Sequence, residues 1–354
     1  MEIKITLSEN LKEKIKDESK LGFGNYFTDH MFLMDYTDGK GWHDPRIIPY
    51  QPISVDPSCL TFHYGQTVFE GLKAYRSAED EILLFRPQEN FTRMNLSCDR
   101  LCIPRFDEKF VLEALKKLID IERDWVPHQS DSSLYIRPFI FADEEFLGVR
   151  VSKSYKFMII LSPSGPYYAS GLDPVKIYVE EKYVRAVPGG MGEAKTGGNY
   201  AVSLIGQAEA ESKGYSQVLW LDGVERKYIE EVGAMNIFFV IDDVIITPKL
   251  NGSILSGITR KSVLELLREQ DAKVEERKIS IDELVAAYDN GTLQEVFGTG
   301  TAAVISPVGE LMYKNKKMII NDNQIGPISQ SLYDNLTDIQ WGKQQGPVGW
   351  SIKV

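Results

Sequence analysis

The chain has 354 residues, of which 43% are hydrophobic and 26% charged, with 40 Lys and Arg against 51 Asp and Glu for a formal net charge of −11. Those proportions exclude a disordered or collagen-like chain and leave ample material for a buried core. The acidic balance argues against a nucleic-acid-binding surface and makes small-molecule chemistry the expected class.

At about 150 residues per domain, the length predicts two domains. Cys59, Cys98 and Cys102 form no CxxC pair, so no disulfide framework is implied and a reduced, cytoplasmic interior fits. His30, His43, His63 and His128 are widely spaced and form no HxxxH pair, so no metal is expected. Met1-Glu2-Ile3-Lys4 leads into a mixed-charge segment unlike a signal or transit peptide. The longest apolar run, residues 237–241, is too short to span a bilayer.

Apolar runs at 31–36 and 46–50 flank Thr37-Asp38-Gly39-Lys40-Gly41 and read as strands around a turn. Segments 72–76 and 81–86 form a second hairpin. A helix follows over 88–101, with Phe91, Met94 and Leu101 at helical spacing. The next, over 109–123, carries the stripe Val111, Leu112, Leu115, Leu118 and Ile119. Segments 134–141 and 155–161 are strands. Ser162-Pro163-Ser164-Gly165-Pro166 is the densest breaker cluster, with Gly171 and Pro174 soon after. It divides the chain into an N-terminal domain, 1–164, a linker, 165–174, and a C-terminal domain, 175–354.

In the second half, 176–186 reads as a long strand, broken by Pro188-Gly189-Gly190-Met191-Gly192. A helix over 200–213 points Val202, Ile205 and Ala208 inward, with Asn199 near its N-cap and Gly214 as its stop. Strands follow at 216–221, 227–232, 236–241 and 244–247. Gly257 opens a helix containing Val263, Leu264 and Leu267. Ser280 and Glu283 form a capping box for a helix ending near Gly291. Leu332, Leu336 and Ile339 suggest a closing helix. Strands with interspersed helices make the class mixed α/β or α+β.

Four segments carry candidate chemistry. Gly189 to Thr196 misses the phosphate-loop pattern G-x-x-x-x-G-K-T at Ala194, where the second glycine belongs, and Gly197-Gly198-Asn199 continues a helix poorly. A lysine among glycines also suits a Schiff base, because the backbone must approach a bulky aldehyde cofactor closely. Tyr228-Ile229-Glu230-Glu231-Val232 runs two acids into an apolar strand, so one carboxylate can be carried inward to a pyridine nitrogen. Leu255-Ser256-Gly257-Ile258-Thr259-Arg260 leads a glycine into a helix whose free N–H groups suit a phosphate. Phe297-Gly298-Thr299-Gly300-Thr301-Ala302 reads as a small-residue loop able to cradle phosphate or carboxylate.

Taken in order, these segments resemble the branched-chain amino-acid aminotransferases, pyridoxal-phosphate enzymes of fold type IV. The similarity runs from Phe27-Thr28-Asp29-His30-Met31 through His63-Tyr64, Phe69-Glu70-Gly71, Leu84-Phe85-Arg86-Pro87 and Arg93-Met94. It continues in Ser133-Leu134-Tyr135-Ile136-Arg137-Pro138, Lys195-Thr196-Gly197-Gly198-Asn199-Tyr200, Glu231-Val232-Gly233, Met235-Asn236-Ile237-Phe238 and the glycine-threonine segment ending at Ala302.

The resemblance implies a smaller N-terminal and a larger C-terminal domain with the cofactor at their interface. It implies that Lys195 is the Schiff-base lysine and proton shuttle, that Glu231 pairs with the pyridine nitrogen, and that Tyr200 hydrogen-bonds the phenolic oxygen. Arg93, Ile258, Thr259 and Thr301 hold the phosphate, with Leu255, Gly257 and Gly300 in the same cradle. The Thr301 and Ala302 amides receive the substrate carboxylate. Phe23, Phe69 and Tyr167 shape the side-chain pocket, while Tyr135 and Arg137 help it accept glutamate. Tyr64, Leu147 and Val149 reach the pocket from a partner subunit, which implies a homodimer. The implied reaction passes the amino group of leucine, isoleucine or valine to 2-oxoglutarate in a ping-pong cycle, giving the 2-oxo acid and glutamate.

The sequence departs from its relatives in two places. Ala234 stands where they often have threonine, and Ala303 and Ser306 stand where mammalian relatives carry a CxxC. D-amino-acid aminotransferase and aminodeoxychorismate lyase are the alternatives on the same fold, but they lack the continuous match over 134–138 and 195–200. A phosphate-loop nucleotide binder is the alternative outside it.

Overall fold

A computed structural model describes residues 1–166 and 172–354. The linker expected at 165–174 and the pocket residue Tyr167 lie partly or wholly outside these. The chain divides into two units, one of Met1–Ala169, Ala194–Gly197 and Asp338–Val354, the other of Ser170–Glu193 and Gly198–Thr337.

In the first unit, β1 (Lys4–Ile5), β2 (His30–Thr37), β3 (Gly41–Pro49), β4 (Thr67–Phe69), β5 (Leu72–Arg76), β6 (Ile82–Phe85), β7 (Ser133–Ala142) and β8 (Ser154–Ser164) form one sheet. Its order is β1-β3-β2-β8-β7-β5-β6, with the C-terminal strand Ser351–Lys353 on the β6 edge and β4 paired to β7. The turn from β2 to β3 puts Gly39 and Gly41 at φ of 79° and 78°, which glycine adopts without steric cost. Three helices are interspersed among the strands: α1 (Leu60–Tyr64), α2 (Pro87–Arg100) and α3 (Glu108–Ile121). Pro87 at the start of α2 has its φ preset for the first turn. Asp107 caps α3 by accepting from the Lys109 and Phe110 amides. The buried face of α3 is Val111, Ala114, Leu115, Leu118 and Ile119, with Leu112 only partly covered. These side chains join Phe32, Phe91, Phe106 and Phe157 in one core.

The second unit holds β9 (Val175–Glu180), α4 (Gly197–Ser212) from its second residue on, β10 (Gln217–Leu221), β11 (Ile229–Val232), β12 (Asn236–Ile241) and β13 (Val244–Pro248). It continues with α5 (Ile258–Glu269), β14 (Val274–Arg277), α6 (Ile281–Asp289), β15 (Leu293–Gly300), β16 (Val304–Tyr313), β17 (Lys316–Ile319) and most of α7 (Pro327–Gln340). The sheet runs β11-β10-β9-β16-β15-β12-β13-β14, with β17 on β16. Parallel pairs, β9 with β10 and with β16, and β13 with β14, sit among antiparallel ones, so the class is mixed α/β as expected. Leu332, Leu336 and Ile339 are buried in α7, and Val263, Leu264 and Leu267 in α5.

Five local expectations are corrected. The strand expected at 176–186 ends at Glu180, because its carboxylate accepts the Lys182 and Tyr183 amides at 2.6 and 3.0 Å and turns the chain. Helix α4 begins at Gly197, and Asn199 donates to the Met191 carbonyl at 2.7 Å instead of capping. That helix buries Asn199, Gly206 and Ala210, leaving Val202, Ile205 and Ala208 exposed. The Trp220 ring decides this orientation, since a Cβ on Gly206 would lie 2.7 Å from its Cη2. Ser280 does accept the Glu283 amide at 3.0 Å, but the Glu283 carboxylate pairs with Arg277, so only half of the capping box forms. Residues 297–300 are the end of β15 rather than loop.

Phe91 has no exposure and meets Phe106 edge-on at 6.1 Å. Phe91→Ala is expected to destabilise the protein by about 3–5 kcal/mol, read from the denaturant midpoint. A loss below about 1 kcal/mol would show that this core collapses around the void.

Candidate active site

Four residues of the second half, Ala194–Gly197, belong to the first unit. The Phe69 amide donates to the Lys195 carbonyl at 3.0 Å, and Thr196 Oγ1 donates to the Thr67 carbonyl at 2.7 Å. The Lys195 amide donates to Ser97 Oγ at 2.9 Å. With its backbone tied on both sides, Lys195 carries its Nζ over the Phe69 ring, 4.8 Å from the centroid.

The resemblance-derived pocket residues of this unit gather here. Arg137 lies over Phe69 at 4.8 Å and donates to Tyr135 Oη at 3.1 Å, while Phe23 meets Tyr135 edge-on at 4.8 Å. Gly71 is required beside them, because a Cβ would lie 2.1 Å from Tyr135 Oη. Lys73 is the cross-strand partner of Tyr135, and burial pushes its amine down to about 8. Tyr64, by contrast, lies on an open surface with Leu147 and Val149. Its hydroxyl donates to the Leu147 carbonyl, and Leu147 and Val149 are 63% and 82% exposed.

Arg93 projects from α2 beside Asn90 and Ser97, three polar residues at i, i+3 and i+7 that share one helix face. That face meets Glu70, which has no solvent exposure. Arg93 donates through Nε to Glu70 Oε1 at 2.7 Å and through Nη2 to Oε2 at 2.9 Å. Asn90 Nδ2 and the Gly71 amide donate to Oε2 at 2.8 and 3.1 Å. Burial alone would raise the Glu70 pKa, but the charge and hydrogen bonds of Arg93, the charge of Lys195 and the Asn90 hydrogen bond outweigh it and hold the carboxyl below its usual range.

In the second unit, strand alternation puts Glu230 and Glu231 on opposite faces of β11, and both are buried. Glu231 Oε1 accepts from the Leu255 amide at 3.0 Å and from Asn236 Nδ2 at 3.3 Å, and Oε2 pairs with Arg185 Nε at 3.1 Å. Glu230 serves the neighbouring loop instead, accepting from Ser253 Oγ and from Asn251 Nδ2. The carboxylate that the sequence sends inward is therefore one of two. With two N–H donors and a guanidinium on its oxygens, Glu231 is a buried acceptor of the kind a protonated ring nitrogen needs.

Gly257 is the N-cap of α5 and makes no side-chain capping bond, so the first-turn amides at Ile258 and Thr259 meet no cap side chain. A helix start of this kind fits a phosphate. A Cβ on Gly257 would lie 2.0 Å from Asn236 Oδ1, which ties the helix start to the Glu231 cluster. Thr299 pairs with Asn236 across β15 and β12, and Gly300 packs against Met235, with 3.1 Å between its would-be Cβ and Met235 Cγ. Thr301 and Ala302 lie in the turn to β16. Glu231, Leu255, Gly257, Ile258 and Gly300 thus share one neighbourhood, whereas Tyr200 sits in the first half of α4. Ala234 is exposed in the turn closed by Val232 and Met235.

Sequence reasoning assigned no role to Glu70, Ser97, Arg185 or Asn236. The one signal available was the polar stripe Asn90, Arg93, Ser97 on a helix whose adjacent stripe is Phe91, Met94, Cys98. Among the described residues no cluster of His, Cys, Asp and Glu could hold a metal ion, and no helix is long and apolar enough to cross a membrane.

The Amino-transferase class IV family profile matches residues 67–311. The chain is 59% identical over 352 residues to branched-chain-amino-acid aminotransferase 2 of Bacillus subtilis (strain 168), covering 99% of this chain and 97% of that one. Its fold is similar to the crystal structure of the Escherichia coli branched-chain amino acid aminotransferase, with a TM-score of 0.77 at 28% identity over 91% of this chain and 98% of that one. A T.th. branched-chain amino acid aminotransferase complexed with N-(5'-phosphopyridoxyl)-L-glutamate aligns with a TM-score of 0.73 at 27% identity, over 90% and 97% of the two chains. With a profile match across most of its length and such identity end to end, the chain belongs to the class IV aminotransferases, in the branched-chain-amino-acid aminotransferase family.

Proposed function

We propose that this chain transfers the amino group of leucine, isoleucine or valine to 2-oxoglutarate, with Lys195 as the residue that binds pyridoxal phosphate and moves the substrate proton. The observation that carries this reading is Lys195 Nζ over Phe69, beside a guanidinium and a phenol able to receive an acid.

Pyridoxal phosphate, when bound, supplies an electron sink for the bond broken at the substrate Cα. Glu231 accepts the hydrogen bond of its ring nitrogen and keeps that nitrogen protonated, and Tyr200 hydrogen-bonds its phenolic oxygen. The α5 amides at Ile258 and Thr259 hold the phosphate together with Thr301 and Arg93, and Leu255, Gly257 and Gly300 line the same cradle. Lys195 Nζ would take the Cα proton as a general base and deliver it, as an acid, to the cofactor's former aldehyde carbon. The Thr301 and Ala302 amides receive the substrate carboxylate.

One pocket must accept both an apolar and an acidic side chain. With a branched aliphatic substrate, Arg137 stays satisfied by Tyr135 Oη and by the Phe69 and Tyr135 ring faces. With glutamate or 2-oxoglutarate, the same guanidinium meets the carboxylate. Phe23 and Phe69 supply the apolar wall, to which Tyr167 also contributes in this reading.

The active form is a homodimer in which Tyr64, Leu147 and Val149 complete the partner's pocket. Their exposure supports this, as do Phe62, Val202, Leu204 and Ile205, apolar side chains open to water in a single chain. We place the enzyme in the cytoplasm, in keeping with its free cysteines.

Purified protein supplied with pyridoxal phosphate is expected to form glutamate from 2-oxoglutarate with L-leucine, L-isoleucine or L-valine as donor, and Lys195→Ala to lower kcat about 10³-fold or more. D-alanine serving better than L-leucine would overturn the reading. Arg137→Ala is expected to raise KM for 2-oxoglutarate about tenfold to a hundredfold while KM for leucine changes less than threefold. An equal rise for both substrates would contradict the role given to Arg137.

A further inference from the structure

Glu70 is a buried carboxylate that the reaction scheme above does not use. A buried ion pair is weak evidence for stability, because desolvation of both charges offsets their attraction. Its placement is the informative feature. Glu70 follows Phe69 directly, the residue whose amide holds the Lys195 carbonyl and whose ring lies under Lys195 Nζ. Its own amide is fixed by the Pro138 carbonyl at 2.8 Å, on the strand that carries Arg137. Its two oxygens take four donors, two from Arg93 and one each from Asn90 and Gly71.

The bidentate pair occupies the Nε and Nη2 edge of the Arg93 guanidinium. The pair fixes the plane of the guanidinium, and with it the directions from which Arg93 can meet an anion. We propose that Glu70 is a positioning residue of the transamination site. It fixes the direction in which Arg93 presents its charge to the cofactor phosphate, and it places a negative charge within the field of Lys195.

This proposal rests on the reading of Lys195 and Arg93 given above, and the test separates the two. Glu70→Gln keeps the size but replaces one acceptor oxygen with a donor that faces an Arg93 N–H, so the guanidinium must turn. Titrating apoprotein by tryptophan fluorescence, pyridoxal phosphate is expected to bind the variant about tenfold more weakly or worse, with the affinity for unphosphorylated pyridoxal unchanged. In the loaded protein, the pH midpoint of the lysine-bound cofactor's visible absorbance is expected to move about one unit lower, because loss of a nearby negative charge disfavours the protonated nitrogen. A merely structural Glu70 would weaken both ligands alike and leave the midpoint in place, which would overturn the proposal.

Equal or tighter binding of pyridoxal phosphate to the variant would also overturn it, showing Glu70 to be a competitor for Arg93. If Glu70→Gln does not fold, Asn90→Ala carries the test by removing one donor from the same oxygen. A severalfold loss for pyridoxal phosphate alone is expected there, and no loss would overturn the proposal. Failure of wild-type protein to bind pyridoxal phosphate would sink the cofactor reading, and this proposal with it.

Discussion

The lysine site depends on the hold that β4 keeps on Ala194–Gly197. The Phe69 amide and the Thr67 carbonyl take the Lys195 carbonyl and the Thr196 hydroxyl, and Ser97 takes the Lys195 amide. Each is an ordinary hydrogen bond, worth about 1 kcal/mol net. Their combined effect is geometric. They fix the main chain of Lys195 on both sides, so a side chain with four rotatable bonds starts from one defined point over the Phe69 ring. The glycines that follow are small where space is short: a Cβ on Gly198 would lie 3.2 Å from Met191 Cε.

Within each unit the chemistry is set by buried charge. Glu70, Glu230 and Glu231 are all nearly free of solvent, and an unpaired buried carboxylate would cost several kcal/mol. Each is supplied with donors, yet the donors differ in kind. Glu230 takes neutral hydroxyl and amide groups from a loop and serves to hold that loop. Glu70 and Glu231 each face an arginine, Arg93 and Arg185, and each lies among residues given a role at the cofactor. A buried carboxylate–guanidinium pair exerts a stronger field on its neighbours than the same pair in water. That is why these two, and not the third, are read as functional.

Much of the fold was legible from local pattern. The stripe on α3, the turn glycines between β2 and β3, the Ser280 cap and the glycine start of α5 each follow from residues within a few positions of one another. The orientation of α4 was not, because Trp220, far along the chain, selects Gly206 as the buried side and leaves the larger apolar residues outside. The early end of β9 escaped for a related reason: Glu180 turns the chain with its side chain, and apolar periodicity does not register that bond. The roles of Lys195, Glu231 and Arg93 came from resemblance in ordered motifs. Glu70 stood within one of those motifs without a role, since its partner Arg93 is 23 residues away. No spacing rule connects a strand-end carboxylate to a helix face at that distance.

The measurement that bears most directly on the lysine assignment is covalent mapping of the cofactor. Protein loaded with pyridoxal phosphate is reduced with borohydride, digested and analysed by mass spectrometry. The expected result is one phosphopyridoxyl group per chain, on the peptide containing Lys195, and none when the reduction follows pre-incubation with excess L-leucine. A label on another lysine, or a label on Lys195 that leucine does not prevent, would contradict the site described.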